Sequence, residues 1–267
     1  MKKLLTISAL LTLLAAATYY GNTTIASTSQ TIQLQGLPPE LEGLTISHVS
    51  DLHDAEFGEG QEELIKTVKE QQPDLIFLTG DIIDSNRYDL EKSLKAVSGF
   101  VEIAPVYYVT GNHEIATGQE SEIKSRLSQL GVQALSNELV TVAIEGQSIE
   151  LLGIEDPLTG ASVADVLALH RRSELPRLTL SHRPEVFEDY VSAGEQLVFS
   201  GHAHGGQFRI PGIGGLIAPG QGLFPTYTAG IHEKEATQMI VSRGLGNSLF
   251  PFRLFNRPEV IKVTITP

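Results

Sequence analysis

The pattern of apolar and polar residues along the chain predicts strands and helices in turn. A β-branched and apolar run at 44–50 predicts a buried strand, and apolar residues at helical spacing predict a helix over 59–72. Further strands are predicted at 75–79, 106–110, 139–144, 149–154, 177–181, 197–200, 238–242 and 259–265, and further helices at 89–103, 119–131, 162–173 and 184–192. Because strands that alternate with helices pair in parallel, the first half predicts an α/β fold, and the helix-poor second half predicts a second sheet.

The first 26 residues differ in pattern from the rest of the chain. Two lysines precede an uncharged, largely apolar stretch at 4–17, which ends in three consecutive alanines. This pattern is typical of a secretory signal peptide with a small-residue cleavage site, and an uncleaved membrane anchor through residues 4–20 fits it as well. Under either interpretation we expect residues 31–267 to form one exported domain, either extracellular or anchored to the outer face of the cytoplasmic membrane.

Composition narrows the classes of function. The 267 residues are 41% apolar and 19% charged, which is the composition of a globular domain. We expect the protein to be a monomer. The chain has no cysteine, which excludes disulfides, thiolate metal sites and cysteine nucleophiles. With 19 basic and 32 acidic residues the net charge is −13, so we expect no nucleic-acid partner.

Short clusters of metal-ligand residue types follow five of the predicted strands. They are Ser50-Asp51-Leu52-His53, Gly80-Asp81, Gly111-Asn112-His113-Glu114, Ser181-His182 and Gly201-His202-Ala203-His204. The carboxyl ends of parallel strands form the ligand crevice of an α/β sheet, so we expect these side chains to converge. The glycines allow sharp turns and a close approach of the backbone.

Seven residues in these clusters are candidate metal ligands: Asp51, His53, Asp81, Asn112, His182, His202 and His204. Nitrogen and oxygen ligands without sulfur fit divalent Mn, Fe or Zn. Seven are too many for one ion, whereas two ions that share Asp81 would use all of them. The two metal ions of such hydrolytic sites stand roughly 3.5–4 Å apart.

Taken together, the five clusters resemble the calcineurin-like metallophosphoesterases over about residues 44–250. Motifs near the carboxyl end, including 218–222 and 256–259, are similar to the small exported or membrane-associated bacterial branch. The resemblance implies a four-layer sandwich of two mixed β-sheets flanked by helices. It also implies a centre of two divalent ions (Mn²⁺, Fe²⁺/³⁺ or Zn²⁺) at the strand ends.

The resemblance also implies roles for individual residues. The first ion would take Asp51, His53, Asp81 and His204, and the second would take Asp81, Asn112, His182 and His202. Asp81 bridges the ions, and a bridging hydroxide attacks phosphorus. His113 is the non-ligand histidine that contacts the phosphoryl group and protonates the leaving oxygen.

These features predict a metal-dependent phosphodiesterase or phosphatase that acts on small, cell-envelope or lipid-linked phosphates. A protein phosphatase is an alternative, although an exported enzyme meets few phosphoproteins. A non-catalytic metal-binding scaffold is another, but a decayed family member would be expected to lose ligands or the acid.

Several polar residues outside the seven candidate ligands have competing interpretations. We expect His48 to be a core histidine, His170 and His232 to lie on the surface, and Arg243 to form a structural salt bridge. Glu114 is expected to cap its helix. Asp84 either orients a metal ligand, or caps the following helix or stabilises its loop.

Two apolar stretches lie near the last ligand cluster. The first contains Ile213, Leu216 and Ile217, and the second contains Leu249, Phe250, Phe252, Leu254 and Phe255. We expect core packing beneath ordered loops, and the alternative is an exposed rim that contacts lipid-linked substrates.

Overall fold

The computed structural model describes residues 2–247 and 250–267, and nearly all predicted elements form within a few residues of their expected bounds. The helices are α1 (Lys2–Thr23), α2 (Glu62–Glu70), α3 (Leu90–Val101), α4 (Asn112–Thr117), α5 (Glu120–Gln129), α6 (Val163–Leu169) and α7 (Phe187–Ala193). The long strands are β1 (Ala26–Gln33), β2 (Leu44–Val49), β3 (Leu75–Leu78), β4 (Val106–Tyr108), β6 (Glu138–Ile144), β7 (Gln147–Ile154), β8 (Arg177–Ser181), β9 (Leu197–Ser200), β14 (Gly230–Lys234), β15 (Thr237–Val241) and β16 (Glu259–Thr266). The two-residue strands are β5 (Gln133–Ala134), β10 (Arg209–Ile210), β11 (Gly214–Gly215), β12 (Ile217–Ala218) and β13 (Gly222–Leu223).

The long strands form two six-stranded mixed sheets. The first sheet has the order β1-β16-β2-β3-β4-β5, and the second has the order β14-β15-β9-β8-β7-β6. Strands β2, β3, β4 and β5 pair in parallel, as do β7, β8, β9 and β15. Antiparallel pairs are β16 with β2, β6 with β7 and β14 with β15. The carboxyl ends that carry the five ligand clusters therefore come from the parallel parts of both sheets.

Apolar residues divide the molecule into four layers. Side chains from both sheets, such as Ile46, Leu178 and Phe199, form one buried cluster between the sheets. The rings of Phe77 and Phe199 meet edge to face with centroids 4.9 Å apart, a favourable aromatic geometry that joins the two sheets. Helices α2, α3 and α5 cover the first sheet, and α6 and α7 cover the second. This is the predicted sandwich of two mixed sheets flanked by helices.

The ordered sheet begins before the expected domain boundary. Strand β1 starts at Ala26 and pairs in parallel with β16, so the boundary at residue 31 lies inside it. Ser27, Ser29 and Thr31 lie on the exposed face of this edge strand, which is why the stretch is polar. Asn22, still in α1, exchanges hydrogen bonds with the backbone of Arg253. Among the described residues, no helix combines the length and apolar character that a membrane crossing needs.

The glycine- and proline-rich run at 211–230 is ordered, as expected. It contributes to two small antiparallel ribbons, β10 with β11 and β12 with β13, which follow the segment of His202 and His204. Gly206 packs against Gly215, where an added Cβ would lie 2.4 Å from the Gly215 Cα, so the ribbons sit directly on that segment. The ribbon of β12 and β13 also lines a pocket that reaches His204.

Candidate metal centre

Four of the seven predicted ligands meet in one buried group. His53 Nε2 lies 3.2 Å from His204 Nε2 and 3.6 Å from Asp81 Oδ2. His204 Nε2 lies 3.4 Å from Asp51 Oδ1. The four ligand atoms are all within 4.8 Å of one another, a spacing that one ion can bridge.

A second group shares Asp81 with the first. His182 Nε2 lies 3.2 Å from Asp81 Oδ2 and 3.1 Å from His202 Nδ1. The other ring nitrogen of His182 lies 2.7 Å from the Thr79 carbonyl, so a proton at Nδ1 leaves Nε2 facing the group. Asp81 Oδ2 thus belongs to both groups, and the structure brings together all six predicted carboxylate and imidazole ligands.

Asn112, the seventh predicted ligand, starts α4 beside the shared carboxylate. The next residue, His113, donates its backbone N–H to Asp81 Oδ1 at 2.8 Å. Asn112 Oδ1 is buried, and no hydrogen-bond donor reaches it from the described parts of the chain. A buried amide oxygen without a donor is costly unless something positive meets it, which fits a metal ligand. The donor set of carboxylates, imidazoles and one amide oxygen therefore fits divalent ions.

The backbone at the ligands is left-handed. The φ angles of Asp51, His53, Asp81, His202 and His204 lie between 47° and 64°. Such a conformation costs about 1–3 kcal/mol per non-glycine residue and clusters at functional sites. Strand alternation does not direct the Asp51/His53 pair or the His202/His204 pair, because β2 ends at Val49 and β9 at Ser200. Tight loops aim these side chains instead.

Two glycines of the clusters are required for space. The Cβ of an alanine at Gly111 would lie 2.2 Å from Asp81 Oδ1, and one at Gly201 would lie 1.9 Å from Ser50 Oγ. Both contacts are far inside van der Waals distance, so the backbone packs directly against ligand loops. Gly80 has a φ of 90°, so there a left-handed turn is also needed.

Burial and mutual contact set the charges of the site. Burial lowers the pKa of His53 and of His202 well below the ordinary value and lowers that of His204 as well, which favours neutral imidazoles. Burial also opposes charge on Asp81 and His182, but their contact overcomes it: the Asp81 pKa falls well below its ordinary value, and the His182 pKa rises to about 10. A proton on His182 therefore balances the Asp81 carboxylate where a cation would otherwise do so.

Comparison with known proteins identifies the family. The family model described as calcineurin-like phosphoesterase matches residues 44–206, which include all five clusters. The chain belongs to this family. It is 28% identical over 250 residues to the uncharacterized metallophosphoesterase YkuE of Bacillus subtilis, covering 90% of this chain and 85% of that one. It is 33% identical over 197 residues to the phosphodiesterase YaeI of Escherichia coli, covering 72% and 70%.

A solved dimetal phosphatase from Danio rerio has the same fold, with a TM-score of 0.50 at 14% identity over 84% of this chain and 99% of that one. The calcineurin-like phosphoesterases are dimetal-dependent, and the two groups that share Asp81 match that requirement. The protein is therefore a metal-dependent phosphoester hydrolase, and it is consistent with the small bacterial branch.

His113 lies at the edge of the metal centre of this phosphoesterase. Its ring meets that of His53 edge to face with centroids 4.5 Å apart. The backbone N–H of Ser85 donates to His113 Nδ1 at 3.0 Å, and Asp84 Oδ1 lies 3.6 Å from the same nitrogen. Asp84 also accepts from the backbone of Asn86, so it stabilises its own loop; α3 begins later, at Leu90, and the site residue beside Asp84 is His113 and not a predicted ligand.

Glu114 does more than cap a helix. Its carboxylate accepts the backbone N–H groups of Asp81 (2.9 Å), Ile82 (2.7 Å) and Gly111 (2.8 Å). The expected cap of α4 is thus confirmed, and the same side chain fixes the loop of the shared ligand. Burial and the nearby Asp81 charge raise the Glu114 pKa to about 8, although the hydrogen bonds from the N–H groups of Gly111 and Asp81 act to lower it.

Four polar residues that support the site were not predicted. Arg183 forms two hydrogen bonds with Asp156, and its Nη1 lies 3.2 Å from His202 Nε2. The buried Arg253 places Nη2 3.4 Å from His204 Nδ1. The Asn256 amide donates to the backbone carbonyls of His204 and Gln207. In the sequence their signal is weak, because each stands near a motif without the spacing of a ligand.

The remaining expectations are largely met. His48 is buried with Nε2 2.9 Å from Thr79 Oγ1, and burial lowers its pKa to about 3, as for a neutral core histidine. Arg243 pairs with Glu259 at 2.9 Å, the expected salt bridge. His170 and His232 are only half-buried and lie outside the metal centre, although the His232 ring contacts Tyr227.

The apolar stretches contradict the expectation of core packing. Ile213 is 68% exposed, and Phe250, Phe252 and Phe255 are 41%, 44% and 69% exposed. The loops end in rings that face solvent because the space beneath them is filled by buried polar groups such as Arg253. Leu216, Ile217 and Leu254 are half-buried, and Leu249 lies outside the described residues.

Proposed function

We propose that this phosphoesterase hydrolyses phosphodiesters and phosphomonoesters at two divalent ions that share Asp81. The observation that carries the proposal is that one carboxylate oxygen, Asp81 Oδ2, lies 3.6 Å from His53 Nε2 and 3.2 Å from His182 Nε2. A carboxylate shared by two ligand groups can bridge a pair of metal ions, which stand roughly 3.5–4 Å apart in hydrolytic sites.

The residues divide into two ligand sets. Asp51, His53, Asp81 and His204 would hold one ion, and Asp81, Asn112, His182 and His202 would hold the other. When bound, the ions lower the pKa of coordinated water and neutralise charge on the phosphoryl oxygens. Asp51 and Asp81 return only two of the four positive charges, so the site attracts phosphate in spite of the net charge of −13.

His113 protonates the leaving oxygen. In the neutral ring Nδ1 accepts from the Ser85 N–H, so the proton is on Nε2. The acid is the imidazolium, which gives its Nε2 proton to the leaving oxygen and returns to the neutral ring, and its Nδ1 proton faces Ser85 Oγ at 3.0 Å. Asp84, 3.6 Å from Nδ1, stabilises the ring when it is positively charged. The contact with the His53 ring holds the imidazole beside the first ligand set, within reach of a phosphoester bound there.

Hydrolysis of bis-p-nitrophenyl phosphate tests these roles. We expect chelator-treated protein to lose activity and to regain it with Mn²⁺, Fe²⁺ or Zn²⁺, and the comparison of ions identifies the preferred metal. Asp81→Asn removes the shared ligand, so bound metal and rate both fall. His113→Gln keeps bound metal and loses at least about 100-fold in kcat, as expected for a general acid.

Matched controls are Asp165→Asn and His170→Gln, which change the same residue types on α6 and directly after it, outside the ligand groups. Both are expected to keep wild-type metal content and rate. Undiminished activity of His113→Gln would overturn its role as the acid, and undiminished metal content of Asp81→Asn would overturn the shared site.

The proposed place of action is outside the cytoplasmic membrane, on cell-envelope or lipid-linked phosphates. Its support is the lysine-led apolar segment at 4–20, a pattern that is typical of a signal peptide or a membrane anchor. In intact cells, an exported enzyme is digested by added protease, whereas a cytoplasmic marker is spared. Protection of both proteins until the cells are lysed would refute export.

A further inference from the structure

An apolar pocket opens beside the metal centre. It has a volume of about 300 Å³, within the range of small-molecule sites, and its walls include His204, Gln207, Ile217, Ala218, Pro219 and Phe250. Of the side chains that the structure describes, no aspartate, glutamate, lysine or arginine lines it. Because His204 belongs both to this wall and to the first ligand group, a phosphoester bound at the ions has the pocket next to its phosphorus.

The chain holds the pocket in place through the segment that carries His204. The buried Gln207 side chain donates to the Phe252 carbonyl at 2.8 Å and to the Phe250 carbonyl at 3.3 Å. The Phe208 ring packs against the Phe250 and Phe252 rings, with centroids 5.3 Å and 5.4 Å away. The aromatic wall and the ligand His204 are therefore positioned as one unit.

The opposite wall comes from the ribbon of β12 and β13. Ile217 pairs with Leu223 and Ala218 with Gly222 across this ribbon, and Ala218 is anchored in the core of the second sheet. Gln221 exchanges two hydrogen bonds with the backbone of Tyr227, at 2.8 Å and 2.9 Å, which closes the loop behind the ribbon. The two walls are also joined to each other, because the Leu216 N–H donates to the carbonyls of Gly206 at 3.1 Å and Phe208 at 2.8 Å.

We infer that this pocket binds an unbranched apolar group of the substrate, the alkyl or acyl chain esterified next to the hydrolysed phosphate. The inference rests on the proposed function, because it needs the phosphate at the ions. A sugar or nucleobase carries hydroxyl and amide groups that need partners, and apart from His204 and Gln207 the walls named above carry only hydrocarbon side chains. Phe250 stays 41% exposed at the pocket, so a bound chain would remove its ring from water.

A series of p-nitrophenyl alkyl phosphates, from methyl through butyl to hexyl, tests the inference on the wild-type enzyme. Each added CH₂ that enters the pocket contributes up to about a fourfold gain in kcat/KM. Because the chain is bound equally in the ground and transition states, the gain is expected in KM while kcat stays constant. These short esters remain monomeric in solution, so micelles do not imitate a pocket.

Ile217→Asp places a charge in the wall and is expected to abolish the gain, so that the hexyl and methyl esters have kcat/KM values within about twofold. The matched control, Leu169→Asp, changes an exposed residue at the end of α6 and keeps the wild-type ratio. Circular dichroism and thermal unfolding verify that both variants fold. The chain-length series on the wild-type enzyme is a test that depends on neither variant.

The outcomes separate this inference from the proposed function. Hydrolysis of the methyl ester with no dependence on chain length would overturn the apolar pocket and leave the two-metal hydrolysis intact. Failure to hydrolyse any ester with any divalent ion would overturn the proposed function itself. A chain-length gain that survives Ile217→Asp would place the chain elsewhere and so refute the pocket.

Discussion

Replacing Gly201 by alanine tests whether the two sheets must touch at the metal centre. The added Cβ would lie 1.9 Å from Ser50 Oγ and 2.3 Å from Asp51 Oδ2, both contributed by the loop after β2. Ordinary contacts begin near 3.4 Å, so the Ser50 and Asp51 side chains must each move by more than about 1 Å. The φ of Gly201 is not left-handed, so the effect is steric.

The size of the effect follows from that displacement. A misplacement of about 1 Å in a catalytic group costs on the order of 100-fold in rate. Asp51 also accepts the His202 N–H at 3.0 Å, so the same shift disturbs ligands of both groups. Overpacking adds about 1–3 kcal/mol of destabilisation. We therefore expect Gly201→Ala to be folded, less stable and at least about 100-fold less active.

Gly99→Ala is the matched control. Its Cβ would lie 2.5 Å from Cδ1 and 2.6 Å from Cγ1 of Ile65, so this alanine is also crowded, but between α2 and α3 and away from the ligands. The helix-favouring alanine offsets part of an overpacking cost of about 1–3 kcal/mol, and we expect unaltered activity. Metal content after equilibrium dialysis and kcat/KM on bis-p-nitrophenyl phosphate measure both variants. If Gly201→Ala kept its metal and its rate within threefold, the close packing at the centre would not matter for function.

Three further predictions concern the support of the site and of the sheets. Because burial lowers the pKa of His48 to about 3, the unfolded chain binds a proton at this residue below about pH 6.5 and the folded chain does not. Between pH 7.5 and 5, the free energy of urea unfolding should therefore fall by about 2 kcal/mol more in the wild type than in His48→Asn. Equal losses in the two proteins would refute this. Arg177→Met leaves the buried Glu150 and Glu195 without their ion-pair partner, so the free energy of unfolding in the same assay should fall by about 3–5 kcal/mol. A fall below about 1 kcal/mol would contradict the dependence of these glutamates on the arginine. Asn256→Leu leaves the carbonyls of His204 and Gln207 without their donor, so we expect about 1–3 kcal/mol of destabilisation and weaker Mn²⁺ binding in a dialysis titration, and unchanged Mn²⁺ affinity would refute the second effect.

The sequence made the convergence of the ligands predictable because each cluster directly follows an apolar strand. Parallel pairing places such positions at one edge within each sheet, so Asp51 and Asp81, which follow the paired strands β2 and β3, could be expected to meet. The contact of Asp81 with His182 depends in addition on how the two sheets pack, because His182 follows a strand of the second sheet. What the pattern could not show is the route of the backbone. Left-handed turns at Asp51 and His204 depend on tertiary contacts, and nothing in local periodicity specifies them.

Support from distant segments was also beyond prediction. Strand β1 is polar on its exposed face, and only its pairing with β16 at the other end of the chain makes it part of the sheet. Arg253 is 1% exposed, yet it lies in a stretch whose phenylalanines suggested a core. The observed burial is the reverse of that expectation. The Arg253 guanidinium is buried beside His204, to which it offers a polar partner, and the Phe250 and Phe252 rings are exposed.

The metal centre and the packing of the sheets act as one unit. Asp51, from the first sheet, accepts the backbone N–H of His202, which follows a strand of the second sheet. The Thr79 carbonyl, from the first sheet, fixes the ring of His182 from the second. Each ligand group draws side chains from both sheets, with Asp81 in common, so the register of one sheet against the other sets the distances that cross between them, such as His53 to His204 and Asp81 to His182. The apolar layer between the sheets therefore contributes to catalysis as well as to stability, since any slip between them separates the ligands of both groups at once.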